Sequence, residues 1–208
     1  MIRNIVFDMG GVLIAWSPEL LLSRLSLSEE DAALLLREVF GETEWVMLDR
    51  GSLHEPEAFE RVARRLPGRL HAAARHCIFD WWKDPFVPTE GMAALIAELK
   101  ALGCGVYLLS NATSRLHEYF PRIPGSEHFD GKLVSADRLL LKPQREIYEK
   151  LYESFSLRPE ECFFVDDNPM NVEAAGRTGM RGAVFCGDTA RLRRALREAG
   201  VPVSEEEA

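Results

Sequence analysis

Little in this sequence points toward a membrane, a nucleic acid or a disulfide-stapled scaffold. No apolar run reaches membrane-spanning length. The start carries no basic n-region, apolar h-region or small-residue cleavage site. There is no internal repeat and no low-complexity tract. The four cysteines, Cys77, Cys104, Cys162 and Cys186, make no CxxC pair and no metal-finger spacing among 208 residues. They read as buried free thiols in a reducing compartment. Positive charge is scarce: 25 Lys and Arg against 33 Asp and Glu leave a net charge of −8. That balance argues against a nucleic-acid or anionic-membrane partner. The basic cluster "RLRRALRE", Arg191 to Glu198, has helical spacing and reads as a solvated face. A summed charge does not exclude a local positive pocket for a small anionic substrate. The expectation is a soluble cytoplasmic protein, monomer or homodimer, with enough apolar residues, 47%, to bury a sizeable core.

Strand signals are missing over a long stretch. Residues 16 to about 84 show only helical periods: "SPELLLSRL" with Pro18 at its start, "SEEDAALLLREVF" with Ser28 and Asp31 placed like a capping box, "EPEAFERVARRL" and "LHAAARHCIFDWW". On either side the pattern changes. "MIRNIVF", "CGVYLLSN", "CFFVDDN" and "GAVFC" are short, continuously apolar strand patterns. They alternate with helices read in "TEGMAALIAELKALG" (capped by Thr89), "KPQREIYEKLYESF" (opened by Pro143), "NPMNVEAAGRTG" (capped by Asn168) and "DTARLRRALREAG" (capped by Asp188). Such alternation predicts an α/β fold, a Rossmann-like parallel sheet covered by helices on both faces. Residues 1–15 and 85–208 form the expected core domain, and 16–84 an inserted all-helical cap. The terminal "SEEEA" is expected to fray.

Three strand patterns end in polar groups: Asp8, Ser110-Asn111 and Asp166-Asp167. In an open parallel sheet the carboxyl ends of the strands line one edge, where ligands bind. These residues, with Lys142 just ahead of a helix, are therefore expected to converge there. Each has a plain alternative. Asp8 suits a turn, Ser110 and Asn111 suit a strand end, Lys142 suits solvent, and Asp167 suits a helix cap with Asp166 exposed. Adjacent acids at a buried strand end repel, unless a cation neutralises them.

The order and spacing resemble the haloacid dehalogenase superfamily, and within it the capped phosphatases. The resemblance covers nearly the whole chain: "VFDMGGVL", "VYLLSN", "LKP" and "FFVDDNPMNVEAA" stand where the family has its four motifs. "LSNATSRLHEYF" and "DDNPMNVEAA" are further similar to the bacterial α-glucose-1-phosphatase branch. The resemblance implies Asp8 as nucleophile, Ser110 with the backbone near Asn111 as phosphate ligands, Lys142 as a catalytic cation, and Mg2+ held by Asp8, the Gly10 carbonyl, Asp167 and Asp166. It implies a phosphoric monoester phosphatase acting on a small phosphorylated metabolite, such as a sugar 1-phosphate. Elementary chemistry agrees. A carboxylate can attack phosphorus and split one hard displacement into two easier ones, provided cations offset the repulsion.

One thing is absent from the motif itself. The family's phosphatases carry a proton-transferring acid two residues after the nucleophile, a function worth about 10²–10⁴ in rate. Here that residue is Gly10. Three readings stand: a leaving group that needs little protonation, another group or water supplying the proton, or a protein that mainly binds. Carbon–halogen cleavage, which needs no proton on the leaving group, is a further alternative, although the retained acid pair favours phosphate. Gly10-Gly11 also permits a tight turn with positive φ. Trp16, Trp45, Trp81 and Trp82 are read as core residues of the helical segment, with one or two available to stack on a sugar. His54, His71, His76 and His117 are read as surface or core.

Overall fold

The computed structural model describes residues 1–205. Strand β1 (Asn4–Phe7) leads through a glycine turn into the short β2 (Ile14–Ala15). Five helices follow: α1 (Pro18–Leu22), α2 (Glu29–Leu35), α3 (Thr43–Arg50), α4 (Glu55–Ala63) and α5 (His71–Arg75). The chain returns through β3 (Val87–Pro88), antiparallel to β2. Then come α6 (Met92–Ala101), β4 (Gly105–Ser110), α7 (Leu116–Tyr119), β5 (Gly131–Val134), α8 (Arg145–Phe155), β6 (Cys162–Asp166), α9 (Pro169–Arg177), β7 (Arg181–Val184) and α10 (Thr189–Glu198).

The main sheet is parallel, in the order β5-β4-β1-β6-β7. The three strands whose ends carry polar residues are therefore neighbours. Their register sets Phe7 beside Leu108 and Val165, which brings Asp8 level with Asp166. The strands read as unbroken apolar runs because both faces are buried. Ile5, Phe7, Val106, Leu108 and Val165 join the core under α6 and α10. Val6, Leu109 and Phe164 join the one under α8 and α9. The helices between β2 and β3 bury a cluster of their own, including Leu35, Leu48, Val62 and Cys77.

Several expected caps hold. Ser28, Asn168 and Asp188 each accept a backbone N–H in the first turn of the helix they precede. Others do not. Thr89 does not cap α6: its N–H donates to Leu13 O at 3.0 Å, and Gly91, with φ +71°, opens the helix. Pro143 lies before α8 rather than in its first turn, since Gln144 precedes the helix and its side-chain oxygen accepts the Leu141 N–H at 2.7 Å. Cys186 is exposed, against the reading of buried thiols, because it follows the edge strand β7. Strand β5 and helix α3 are not marked in the sequence: both are short, and neither carries a capping side chain or a clear apolar period. Ser204 is held by hydrogen bonds to Glu98 rather than frayed, and Glu206–Ala208 lie outside the described residues. No helix among the described residues is long and apolar enough to cross a membrane.

The helical segment rests on the sheet through specific polar contacts. Arg115, before α7, forms a paired ion bridge to Glu55 at 2.8 and 2.9 Å. Arg122 donates to the carbonyls of Trp82 and Asp84. Ser135, after β5, donates its hydroxyl to the Asp49 carbonyl at 2.5 Å. Gly51 ends α3 with φ +79°, and a Cβ there would run into the Ala136 carbonyl oxygen. Gly51→Ala is therefore expected to cost more than about 1 kcal/mol and to lower Tm by at least about 2–4 °C. An unchanged thermal melt would show that this closure does not need glycine.

Candidate active site

Asp8 follows the last paired residue of β1, its N–H donating to Val165 O at 2.8 Å. Its carboxylate meets the Lys142 ammonium at 2.8 Å, and on the other side that ammonium meets Asp166 at 2.7 Å. A third N–H reaches Leu109 O at 3.0 Å, so all three lysine donors are used. Lys142 is 4% exposed and Asp166 fully buried, which makes this a buried ionic network rather than a surface bridge. Asn111 fixes the lysine from behind. Its amide donates to Lys142 O at 3.0 Å and its carbonyl accepts the Lys142 N–H at 2.8 Å.

Burial raises the Asp8 carboxyl to about 6, with the Lys142 charge opposing and the Asp166 charge adding. Burial would lower the Lys142 ammonium, but Asp8 and Asp166 outweigh it and hold the lysine above its usual value. Asp167 is raised by burial and by Asp166 beside it. Asp8, Asp166 and Asp167 each bring a carboxylate oxygen within 4.8 Å of the others. Their freedom differs. Asp166 accepts from Lys142, Asn168 N and twice from the Asn171 amide, so both its oxygens are engaged. Asp8 and Asp167 keep oxygens free of such bonds. Gly11 allows this crowding: its φ is +72°, and a Cβ there would overlap the Asp167 carboxylate. Gly10, by contrast, does not take a positive φ, and a Cβ on it would meet only Trp16 at 3.5 Å. The positive φ expected of the Gly10-Gly11 turn is taken by Gly11, not by Gly10.

A cavity of about 200 Å³ opens between the sheet edge and the helical segment. Asp8, Gly10, Ser110 and Asn111 form its floor, and Trp16, Trp45, Trp81 and Tyr119 its walls. Trp16 stacks on Trp45 with centroids 5.9 Å apart, and Trp81 meets both Trp16 and Tyr119 edge-on. Trp16 Nε1 and the Tyr119 hydroxyl are buried with no hydrogen-bond partner among the described residues. Every residue singled out at the strand ends thus arrives at one place. Trp82 and the four histidines do not line this cavity: Trp82 donates to Phe79 O, and His117 pairs with Asp137 at 2.6 Å. Missed from sequence were Tyr119, Ser135 and Asp49, which reaches the cavity from α3. Asp49 stands four residues after Trp45, one helical turn on, which places both on one helix face. That spacing is the available signal, and it carries meaning only once α3 is known to be a helix.

The buried network carries a measurable consequence. An Asp8 pKa raised in the fold contributes stability only below the ordinary carboxylate range and loses it as pH rises through about 6; Lys142 offsets that loss. Lys142→Met should destabilise by about 3–5 kcal/mol. The deficit should grow from pH 5 to pH 8, as Asp8 is forced to ionise without its partner. Urea unfolding at the two pH values checks this, and an equal or smaller deficit at pH 8 would contradict it.

The model of the haloacid dehalogenase-like hydrolase family matches residues 2–179. A sesquiterpene phosphatase of Aspergillus oryzae is 30% identical over 180 residues, which cover 85% of this chain and 86% of that protein. Among solved structures, a predicted HAD-like family hydrolase from Porphyromonas gingivalis aligns with TM-score 0.72 and 24% identity over 95% of this chain and 98% of that one. A HAD family enzyme from Bacteroides thetaiotaomicron, in complex with magnesium and inorganic phosphate, aligns with TM-score 0.68 and 21% identity over 92% and 99%.

Proposed function

The chain belongs to the haloacid dehalogenase-like hydrolases, and on that premise we propose that it is a magnesium-dependent phosphatase that hydrolyses a small phosphorylated metabolite through an aspartyl-phosphate on Asp8. One observation carries the reading: Asp8, held 2.8 Å from the buried Lys142, faces a cavity floored by Ser110 and Asn111. The phosphatase named among the relatives and the phosphate bound in the Bacteroides enzyme support it.

The donor set fits magnesium: hard carboxylate oxygens, gathered within 4.8 Å at the sheet edge. Asp8 and Asp167, with the Gly10 carbonyl, would hold the ion. Asp166, with both oxygens engaged, serves instead to fix Lys142 and the turn to α9. When bound, the ion offsets the repulsion between Asp8 and a phosphate. Lys142 keeps Asp8 oriented and ionised. Ser110 offers its hydroxyl to the phosphate, while the Asn111 side chain, engaged with Lys142, contributes through position rather than contact. The helical residues 16–84 act as a cap that closes over the cavity and excludes water.

For the leaving group, the aromatic walls and the two unpartnered donors, Trp16 Nε1 and Tyr119 OH, favour a flat or ring-shaped moiety that carries oxygen. A sugar 1-phosphate has that form. The same ring faces also suit an isoprenoid tail, the class named in the Aspergillus relative. A substrate panel holding sugar 1-phosphates, sugar 6-phosphates and prenyl phosphates separates the two.

Three outcomes test the chemistry. Chelation should abolish p-nitrophenyl phosphate hydrolysis and magnesium restore it. Calorimetric magnesium affinity should weaken as pH falls through about 6, because Asp8 must lose its proton to bind. Full turnover in chelator would remove the metal from the mechanism, and an affinity flat across that range would mean that Asp8 does not hold the ion. Asp8→Asn should keep its fold and lose turnover; if it retained a sizeable fraction of the wild-type rate, the nucleophile would lie elsewhere.

A further inference from the structure

The phosphatase chemistry leaves one need unmet at the sheet edge. Gly10 has no side chain with which to protonate the departing oxygen or to deprotonate the attacking water. Among the residues that line the cavity, three titrate: Asp8, Tyr119 and Asp49. Asp8 is the attacking group. The Tyr119 hydroxyl is buried, and burial pushes its pKa further up, so it is a weak proton donor near neutral pH. Asp49 remains.

Asp49 is not where it is by accident of a loose side chain. Its carbonyl is held by the Ser135 hydroxyl, which also accepts the Ala112 N–H at 2.9 Å next to the phosphate-facing loop. Two residues later Gly51 lies against Ala136. The Glu55–Arg115 bridge ties the start of α4 to the sheet domain. The end of α3 is thus fixed by the loop after β5, which Ser135 ties to Ala112 beside Ser110 and Asn111. The Asp49 carboxyl itself makes no hydrogen bond or ion pair with any described residue, although it is partly buried. An unpaired carboxylate in such a place is costly, and the neutral acid is favoured. Dehydration, with the nearby charge of Asp8, raises it well above the ordinary carboxylate value. Asp8 is paired with Lys142 at 2.8 Å, whereas Lys142 acts on Asp49 only as a nearby charge that opposes the rise. Trp16 and Tyr119, whose Nε1 and hydroxyl are buried without a hydrogen-bond partner, line the same cavity as Asp49.

We propose that Asp49, reaching across from the helical segment, is the catalytic acid and base that the Gly10 position lacks. This rests on the phosphatase reading. In the first step an Asp8 oxygen bonds to phosphorus and the bond from phosphorus to the leaving oxygen breaks. The electron pair stays on that oxygen, which takes the Asp49 proton and departs as an alcohol. In the second step water bonds to phosphorus and gives one proton to the Asp49 carboxylate. The bond to Asp8 breaks, its electron pair returning to the Asp8 carboxylate, and phosphate leaves with Asp49 protonated again.

The test uses the magnesium-loaded, full-length protein and single-turnover release of the leaving alcohol. Substrates run from p-nitrophenyl phosphate through phenyl phosphate to a simple alkyl phosphate. Wild type should show a shallow dependence on leaving-group pKa. Asp49→Asn should lose about 10²-fold or more on the alkyl ester relative to its loss on the p-nitrophenyl ester. Asp49→Glu should recover part of that ratio. Gly10→Asp, which the local space and backbone accept, should recover it in the Asp49→Asn background. Thermal melting confirms folding of each variant. A uniform loss across leaving groups in Asp49→Asn would make Asp49 structural and overturn the proposal. So would a steep dependence already present in wild type, a result that needs no variant. Absence of turnover by wild type on every ester would instead overturn the phosphatase reading, and this proposal with it.

Discussion

Everything at the sheet edge depends on Lys142 standing between Asp8 and Asp166. A buried ammonium with two buried carboxylates is stable only when every donor finds an acceptor, and here the third donor finds Leu109 O. That requirement fixes three strands at once. β4 supplies the carbonyl, β1 and β6 supply the acids, and the loop before α8 must bring the lysine in, which Asn111 secures through two hydrogen bonds. The network keeps Asp8 pointed at the cavity and compensates its charge, although burial by itself would protonate it. It also explains why Asp166 and Asp167, adjacent in sequence, have different surroundings. One is fully buried with both oxygens engaged, and the other keeps oxygens free of hydrogen bonds.

The second constraint is the contact between the helical segment and the sheet. Ser135, Gly51 and the Glu55–Arg115 bridge fix the end of α3 at the cavity, where Asp49 and Trp45 complete a wall begun by Trp16 and Tyr119. Apolar packing joins these polar contacts, since Trp16, Trp81 and Trp82 lie against the core on the sheet side. The site is built from a floor at the strand ends and a roof that also buries a cluster of its own. The floor carries the charge, and the roof carries the ring faces and the lone carboxyl.

Much of the floor was legible in sequence, because it is local. A polar residue at the end of an unbroken apolar run marks the carboxyl edge of a parallel strand, and Asp8, Ser110 and Asp166 all stand so. The glycine pair after Asp8 was legible as a turn, but which glycine takes the positive φ was not; the approach of Asp167, far along the chain, decides it. The roof was less legible. Trp16, Trp45 and Trp81 have the spacing of core residues, and they are partly that, while the wall they form exists only once α3 is docked. Asp49 lies in a short helix without a capping side chain, and its proximity to Asp8 depends on Ser135 some 86 residues later. Lys142 was legible as a member of a motif, not as the centre of a network, since its partners come from three strands.

The central claim is that Asp8 carries the phosphoryl group. Acid-quenched single-turnover samples, digested and mapped by mass spectrometry, test it most directly. A phosphorylated peptide containing Asp8 should rise and decay in step with ester cleavage and phosphate release. Ester cleaved at the full rate with no phosphate ever found on Asp8 would contradict the account.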